Sequence, residues 1–151
     1  FLYEAMECLG GNGYVEEGIL ARHYREAPVN AIWEGSGNVM CLDVLRALAR
    51  EPEAAAAVLE DFVADTKSLP GAAEAVAFLA NTFRRPDGER AARQAVETLA
   101  QLAAAAALNR TAPEQAALFA ATRLGSSRGR MFGTAELSAA QSRDLLERAL
   151  P

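Results

Sequence analysis

One carboxylate in this chain lies where a protein could use it as a base. Glu34 stands between an aromatic residue, Trp33, and Gly35, and the helix-capping residue Ser36 follows. A glycine-bordered turn fixes a side chain through its backbone, and an aromatic neighbour is expected to keep water from one side of the carboxylate. This pattern favours a general base, whereas the simplest alternative is a solvated glutamate that stabilises the next helix through its dipole.

A second turn, rich in glycine, precedes Glu34 in the sequence. It contains Gly10, Gly11 and Gly13, separated only by Asn12. A dinucleotide-binding strand–turn–helix would need a third glycine where Glu16 stands, and a strand before the turn, so that class of site is excluded. The plainer interpretation is a left-handed residue that ends the opening helix, since glycine has no Cβ to clash there.

The block of residues 4–48 resembles the flavin-binding acyl-CoA dehydrogenase family, and within it the AidB-like adaptive-response branch. The resemblance rests on four stretches, Leu9-Gly10-Gly11-Asn12-Gly13-Tyr14, Tyr24-Arg25-Glu26, the residues 31–38 and Met40-Cys41-Leu42-Asp43-Val44-Leu45-Arg46. It implies an FAD-dependent oxidoreductase in which Glu34 removes the α-proton of an acyl-CoA thioester while the β-hydride passes to the flavin. Trp33 replaces the usual tyrosine, which suggests an altered acyl pocket.

The same resemblance implies the cofactor contacts. The expected FAD-binding residues are Glu7, Gly10, Gly11, Gly13, Trp33, Gly35, Ser36 and Asn38. In the family the glycine-rich turn lets backbone amides approach the FAD pyrophosphate of a neighbouring subunit, and the positions of Ser36 and Asn38 hydrogen-bond the adenylate half. Glu7 stands where glutamine is common, and a carboxylate there would repel the pyrophosphate.

Composition and periodicity favour helices along the whole chain. Of the 151 residues 51% are hydrophobic and only 7% aromatic, and the abundance of alanine favours close-packed helices over sheets. The patterns predict an opening helix that ends at Gly10-Gly11, and further helices over residues 16–27, 36–50, 52–67, 72–83, 89–109, 112–124 and 134–150. Thr111 and Thr134 are expected to begin the last two, residues 29–34 to be irregular, and residues 125–130 to form a polar loop. The predicted fold class is all-α, a helical bundle with an irregular glycine-rich N-terminal third.

The chain is expected to be one domain, residues 1–151, of a longer flavoprotein. It begins with Phe1 inside a helical pattern, and the family places these motifs after a helical and a β-barrel domain. We therefore expect a motif-bearing part at residues 4–50 and a variable helical extension at residues 51–151. The intact protein is expected to form a homo-oligomer, dimer or tetramer, and the isolated chain to be inactive and to hold no FAD.

Charge is distributed unevenly along the sequence. The net charge is −5, yet residues 82–151 carry ten arginines against seven acidic residues. A solvated, ion-paired helical surface explains this simply. The alternative is phosphate attraction by Arg84, Arg85, Arg90, Arg93, Arg123, Arg128 and Arg130. Because AidB-like proteins are associated with DNA through this region, weak non-specific DNA binding by residues 82–151 is an open alternative.

The sequence contains little evidence for other classes of site. Cys8 and Cys41 are few for a chain of this size, which fits a reducing cytoplasm, and neither lies at a metal-ligand spacing from His23. We expect no metal site, no membrane segment and no catalytic role for His23, and Arg25 is expected to pair with Glu26. Two alternatives to a dehydrogenase remain: a DNA-associated alkylation-stress flavoprotein with little turnover, and a helical assembly domain.

Overall fold

The chain folds into α-helices joined by short turns and 3₁₀ helices. A computed structural model describes residues 1–125 and 133–150, and in these residues there is no strand, so the predicted all-α class is confirmed. The α-helices are α1 (Leu2–Cys8), α2 (Ile19–Glu26), α3 (Gly37–Arg50), α4 (Pro52–Thr66), α5 (Ala72–Arg84), α6 (Ala92–Thr111), α7 (Pro113–Arg123) and α8 (Ala139–Ala149). The 3₁₀ helices are Gly10–Gly13, Ala27–Ala31 and Gly88–Ala91. None of the helices in the described part has the length and apolar character needed to cross a bilayer.

Helix α6 is the centre of the hydrophobic core. Its inward face consists mostly of alanine, with Ala95 and Ala105 fully buried beside the single large side chain of Leu102. Helices α3, α4, α5 and α7 all pack against it. Because the distance between packed helices depends on the side chains at the contact, this short-chained face lets several neighbours approach closely. The close approach predicted from the alanine pattern is confirmed.

Polar contacts tie the end of α4 to the end of α6. Asn109 Nδ2 donates to the Asp65 carbonyl oxygen, and Arg110 Nε donates to Asp65 Oδ2, both over 2.7 Å. The buried Thr66 hydroxyl donates to the Phe62 carbonyl oxygen over 2.7 Å. The Thr66 bond lies within α4, whereas the two bonds to Asp65 join α4 to α6. Because the Arg110–Asp65 ion pair is partly exposed, it contributes at most about 1 kcal/mol.

The first 36 residues contribute almost nothing to the core. Only Gly13 and Ala21 are buried there. Helices α1 and α2 pack against each other and the short 3₁₀ segments, while α3 packs against α6 and α4. The predicted irregular N-terminal third is therefore confirmed, and α3 joins it to the bundle.

Two boundaries in the N-terminal third differ from the sequence prediction. Helix α2 begins at Ile19 and not at residue 16, because Gly18 has an extended backbone, with φ −98° and ψ 155°, and becomes the N-cap. The segment after Pro28, expected to be irregular, belongs to the 3₁₀ helix Ala27–Ala31. Proline is tolerated in the first turn of a helix because the amide it lacks would have no partner there.

The starts of the last three helices also differ. Helix α6 begins at Ala92, after a 3₁₀ helix, and extends through Thr111, so the predicted cap at Thr111 is wrong and Ala112 precedes α7. The predicted start at Thr134 is wrong as well. Ser138 Oγ accepts from Gln141 N over 3.2 Å and Gln141 Oε1 accepts from Ser138 N over 2.9 Å, a capping box that fixes the start of α8. The predicted polar loop lies outside the described residues beyond Gly125.

Leu102→Ala should destabilise the bundle strongly. The side chain is fully buried in a core cluster of alanines and leucines, so its removal would leave a cavity. We expect a loss of about 2–5 kcal/mol in the free energy of unfolding, measured by urea denaturation followed by circular dichroism. The matched control is Leu146→Ala on α8, where the side chain is 60% exposed and the loss should stay within about 0.5 kcal/mol. Equal losses in the two variants would contradict a core centred on α6.

Candidate functional site

Glu34 lies on a tight turn between the 3₁₀ helix Ala27–Ala31 and α3. The turn is closed by Gly35 N, which donates to the Ile32 carbonyl oxygen over 3.2 Å. Gly35 has a φ of +131°, a conformation that L side chains rarely adopt. A Cβ at this position would also lie 2.8 Å from Met40 Sδ. The backbone therefore requires glycine directly after the carboxylate, and this fixes the direction in which Glu34 leaves the turn.

The Glu34 carboxylate is exposed and has no ion pair or hydrogen bond with any other residue in the described ranges. Trp33 is itself 65% exposed. The expectation that the aromatic neighbour keeps the carboxylate partly dry is therefore wrong for this chain alone. A water-excluded site at Glu34 would need a cover supplied from outside the chain.

The start of α3 leaves its polar groups available. Ser36 is the N-cap residue, as predicted, with φ −69° and ψ 147°, but its side chain accepts no capping hydrogen bond. The Met40 amide, which donates to the Ser36 carbonyl oxygen over 3.0 Å, makes the helix's first backbone bond. The Ser36 hydroxyl and the amides of the first turn are thus free to bind a group outside the helix.

Asn38, in the first turn of α3, is hydrogen-bonded to a side chain from α6. Arg93 Nη1 donates to Asn38 Oδ1 over 3.2 Å. The same guanidinium lies beside Gly37, where a Cβ would be 3.6 Å from Arg93 Nη2. The sequence singled out Arg93 only as one of several surface arginines, because a contact across 55 residues leaves no local pattern.

The glycines of the upstream turn differ in whether the fold requires a residue without a Cβ at their positions. Gly10 follows the end of α1 with a φ of +57°, which is the predicted left-handed residue. Gly13 is buried, and a Cβ there would lie 2.3 Å from the Met6 carbonyl oxygen. Gly11 has no positive φ, and a Cβ there would meet nothing within 4 Å. The fold itself thus explains Gly10 and Gly13, while Gly11 leaves an open backbone that another molecule can approach closely.

The structure brings together only part of the predicted site. Trp33, Gly35, Ser36 and Asn38 lie on or beside the Glu34 turn, whereas the glycine-rich turn packs against α1. Glu7 is exposed in the last turn of α1. No hydrogen bond or ion pair between described residues connects these two groups. They form one site only where a common ligand, or another subunit, spans both.

An exposed ion pair anchors α2 to the turn before it. Arg25 Nη1 donates to Glu16 Oε1 over 2.6 Å and Arg25 Nη2 to Glu16 Oε2 over 3.0 Å. The expected pairing of Arg25 with Glu26 is therefore wrong. The hydrogen bonds hold the pKa of Glu16 below its ordinary value and raise the pKa of Arg25. A carboxylate held in this way is tied to its cation, so we assign Glu16 and Arg25 a structural role.

A cleft of about 440 Å³ lies in the bundle away from the Glu34 turn. It is walled by α3, α4, α5 and the turn before α6, and its lining is mostly apolar. The charged residues along it are Arg85 and Glu89. Arg85 makes two hydrogen bonds to Asp87, of 3.0 and 2.9 Å, which raise the pKa of Arg85 and lower that of Asp87. None of the predicted site residues lines the cleft.

Several arginines of residues 82–151 interact with other residues of the chain. Arg85 is paired with Asp87 and Arg110 with Asp65, and Arg123 also takes part in an interaction. Arg128 and Arg130 lie outside the described residues. The structure therefore gives no support to DNA binding and agrees with the simpler interpretation, a surface with ion pairs.

Comparisons with known proteins cover about a third of the chain or less. Residues 1–49 match the sequence model of the family described as acyl-CoA dehydrogenase, C-terminal domain. The acyl-CoA dehydrogenase homologue AidB of Escherichia coli (strain K12) is 69% identical over 51 residues, 34% of this chain and 9% of the relative. Acyl-CoA dehydrogenase family member 11 of Caenorhabditis elegans is 54% identical over 43 residues, 28% of this chain and 7% of the relative.

A mammalian protein also matches part of the chain. The mitochondrial short-chain specific acyl-CoA dehydrogenase of Bos taurus is 45% identical over 42 residues, 28% of this chain and 10% of the relative. The chain thus spans no more than about a tenth of the curated relatives that it matches. The resemblance expected from the glycine-rich turn and the Glu34 turn is confirmed for this segment.

Alanine substitutions at Gly13 and Gly11 should show that the fold requires a glycine at the first position and not at the second. Gly13→Ala places a Cβ against the Met6 backbone, so we expect a loss of about 1–3 kcal/mol in the free energy of unfolding. Gly11→Ala meets no neighbour and should leave stability unchanged or slightly raised, since alanine restricts the unfolded chain. Chemical denaturation of both variants measures the difference. A larger loss for Gly11→Ala would contradict these assignments.

Proposed function

We propose, from the premise that residues 1–49 are an acyl-CoA dehydrogenase C-terminal segment, that Glu34 is the catalytic base of an FAD-dependent acyl-CoA dehydrogenase. The intact protein would catalyse α,β-dehydrogenation of an acyl-CoA thioester. The observation that carries the proposal is an unpaired carboxylate, which follows Trp33 and precedes the positive-φ residue Gly35, near the Ser36 hydroxyl and the Asn38 NH₂ group.

The chemistry of the site requires a carboxylate that is free to take a proton. Glu34 would accept the proton from the α-carbon of the thioester, and the electrons of that C–H bond form the new C=C bond. FAD, when bound, accepts the hydride that leaves the β-carbon. A carboxylate already bound to a cation would be a weaker base, and Glu34 differs in this from Glu16 and Asp65, which are paired with arginines.

The donor groups of this chain suit the polar half of FAD. The Ser36 hydroxyl, the Asn38 amide and the open backbone at Gly11 would hold it by hydrogen bonds. A phosphate ester offers only acceptors, so it requires donors from the protein. Glu7 is the residue that opposes such a ligand, because its carboxylate would repel a pyrophosphate.

The rest of the site would come from other parts of the intact protein. Glu34 and Trp33 are exposed in this chain, whereas proton abstraction from carbon is favoured where water is excluded. We assign the cover to the missing domains or to a second subunit. The isolated chain then has only one edge of the site, and we expect it to be inactive and to hold no FAD.

Exposed apolar side chains support assembly of the N-terminal third with another protein surface. The large apolar side chains of the N-terminal third that are more than 60% exposed are Phe1, Tyr3, Tyr14, Ile19, Ile32 and Trp33. Apolar surface of this kind marks an interface more often than a free surface. A homo-oligomer of the intact flavoprotein fits this, so the assembly-domain alternative becomes part of the same proposal. No described contact favours the DNA-associated alternative.

Glu34→Gln should abolish most dehydrogenation in the intact protein. The amide keeps the size and hydrogen-bonding capacity of the side chain but cannot accept the proton, so we expect the rate of flavin reduction to fall by about 10²–10⁴. Stopped-flow absorbance of the flavin after mixing with acyl-CoA measures this rate. Glu17→Gln, an exposed turn glutamate with no role in the site, is the matched control. Unchanged flavin reduction in Glu34→Gln would show that the base is another residue.

The isolated chain should associate with itself through the N-terminal third. We expect a dimer at high concentration, because the exposed apolar side chains there have no partner in the described part of the chain. Ile19→Glu combined with Ile32→Glu should shift the chain to monomer in light scattering. Val58→Glu, an exposed apolar position on α4, is the control and should leave the dimer intact. A wild-type monomer at all concentrations would contradict the prediction.

A further inference from the structure

We propose that Arg93, on α6 in the helical extension, is a positioning residue of the cofactor site. It orients the Asn38 amide and adds a positive charge beside it, for a phosphate group of FAD. The inference rests on the proposed function and deepens it, since Arg93 lies beyond the residues that match the acyl-CoA dehydrogenase family. Two observations carry it: the bond from Arg93 to Asn38, and the absence of an acidic partner for Arg93 among the described residues.

The bond to Arg93 determines which face Asn38 shows to a ligand. A guanidinium has only N–H donors, so the Asn38 amide must turn its oxygen toward Arg93. Its NH₂ group is then directed away from Arg93, and on that side Asn38 meets a ligand as a donor. Without Arg93 the amide would be free to flip and present either its oxygen or its nitrogen. Arg93 thus converts an ambiguous side chain into a defined hydrogen-bond donor.

The resulting set of groups selects an anionic acceptor. Asn38 NH₂ and the remaining N–H groups of Arg93 are donors, and the nearby Ser36 hydroxyl can donate as well. An adenine edge presents both donors and acceptors, whereas a phosphate presents acceptors and negative charge. Planar guanidinium donors match phosphate oxygens in geometry and charge. The set therefore fits a phosphate of FAD better than its adenine ring.

Arg93 differs in its partner from three other arginines of the chain. Arg25, Arg85 and Arg110 each have a carboxylate partner. Arg93 is hydrogen-bonded to a neutral amide instead, so its charge is not neutralised within the described residues. The extension thereby places a positive charge beside Asn38, at the start of α3.

The test is the affinity of the intact apoprotein for FAD, measured by quenching of flavin fluorescence. Arg93→Ala removes the orienting bond and the charge, and we expect the Kd for FAD to rise by about 10- to 100-fold. Arg93→Lys keeps the charge without the planar fork and should show an intermediate loss. The matched control is Arg90→Ala, an exposed arginine close to Arg93 in the sequence, which should change the Kd by less than about twofold. The unfolding midpoint of the apoprotein should be equal in all four proteins.

The outcomes separate this inference from the proposed function. If the unmodified intact protein binds no FAD, the proposed function fails and the inference with it. If it binds FAD and Arg93→Ala binds as well as Arg90→Ala, only the inference fails. The Kd for CoA and for dephospho-CoA is measured alongside. A loss of CoA affinity in Arg93→Ala with FAD affinity intact would assign Arg93 to a phosphate of the substrate and overturn the inference. A lowered midpoint in Arg93→Ala alone would assign it a purely structural role and overturn it as well.

Discussion

The close packing of helices around the alanine face of α6 is the constraint on which the remaining structure depends. Short side chains at Ala95 and Ala105 let several helices reach the same stretch of α6, and Leu102 fills the space between them. One of these neighbours is α3, whose first turn follows directly on the Glu34 turn. The position of the carboxylate relative to the bundle is thus set by helix packing in a part of the chain that contains none of the residues predicted to catalyse or to bind FAD.

Stability and chemistry are divided between the two parts of the chain. The buried side chains are concentrated in α4 to α7, while the segment that matches the acyl-CoA dehydrogenases buries little beyond Gly13 and Ala21. A segment with so few buried groups keeps its shape through local devices: the positive φ of Gly10 and Gly35, and the Glu16–Arg25 ion pair. Such devices define turns well but bury little apolar surface, which explains why large apolar side chains remain exposed there.

The sequence predicted features that depend on neighbouring residues and failed on those that depend on distant ones. Pro52 correctly marked the start of α4, and the left-handed residue after α1 was expected at a glycine, because these effects act on the local backbone. The start of α8 also depends on neighbouring residues, since Ser138 and Gln141 form a capping box. The sequence prediction nevertheless placed this start at Thr134. By contrast, the pairing of Arg25 with Glu16 and of Arg93 with Asn38 depends on how helices and turns are placed in space. The exposure of Trp33 likewise depends on what covers it and not on its neighbours in sequence.

The hydrogen bond between Arg93 and Asn38 joins the helical extension to the motif-bearing segment, so neither part can be exchanged without affecting the other. Residues 1–50 carry the carboxylate and the glycine turns, so a chimaera that replaced only the extension would appear to keep the whole motif. It would nevertheless lose the arginine that fixes the Asn38 amide, together with the α6 surface against which α3 rests. The structure of the first part therefore depends on the second. A substitution that shifts α6 along its axis would also move α3 and the turn that bears Glu34, without any change in the motif itself.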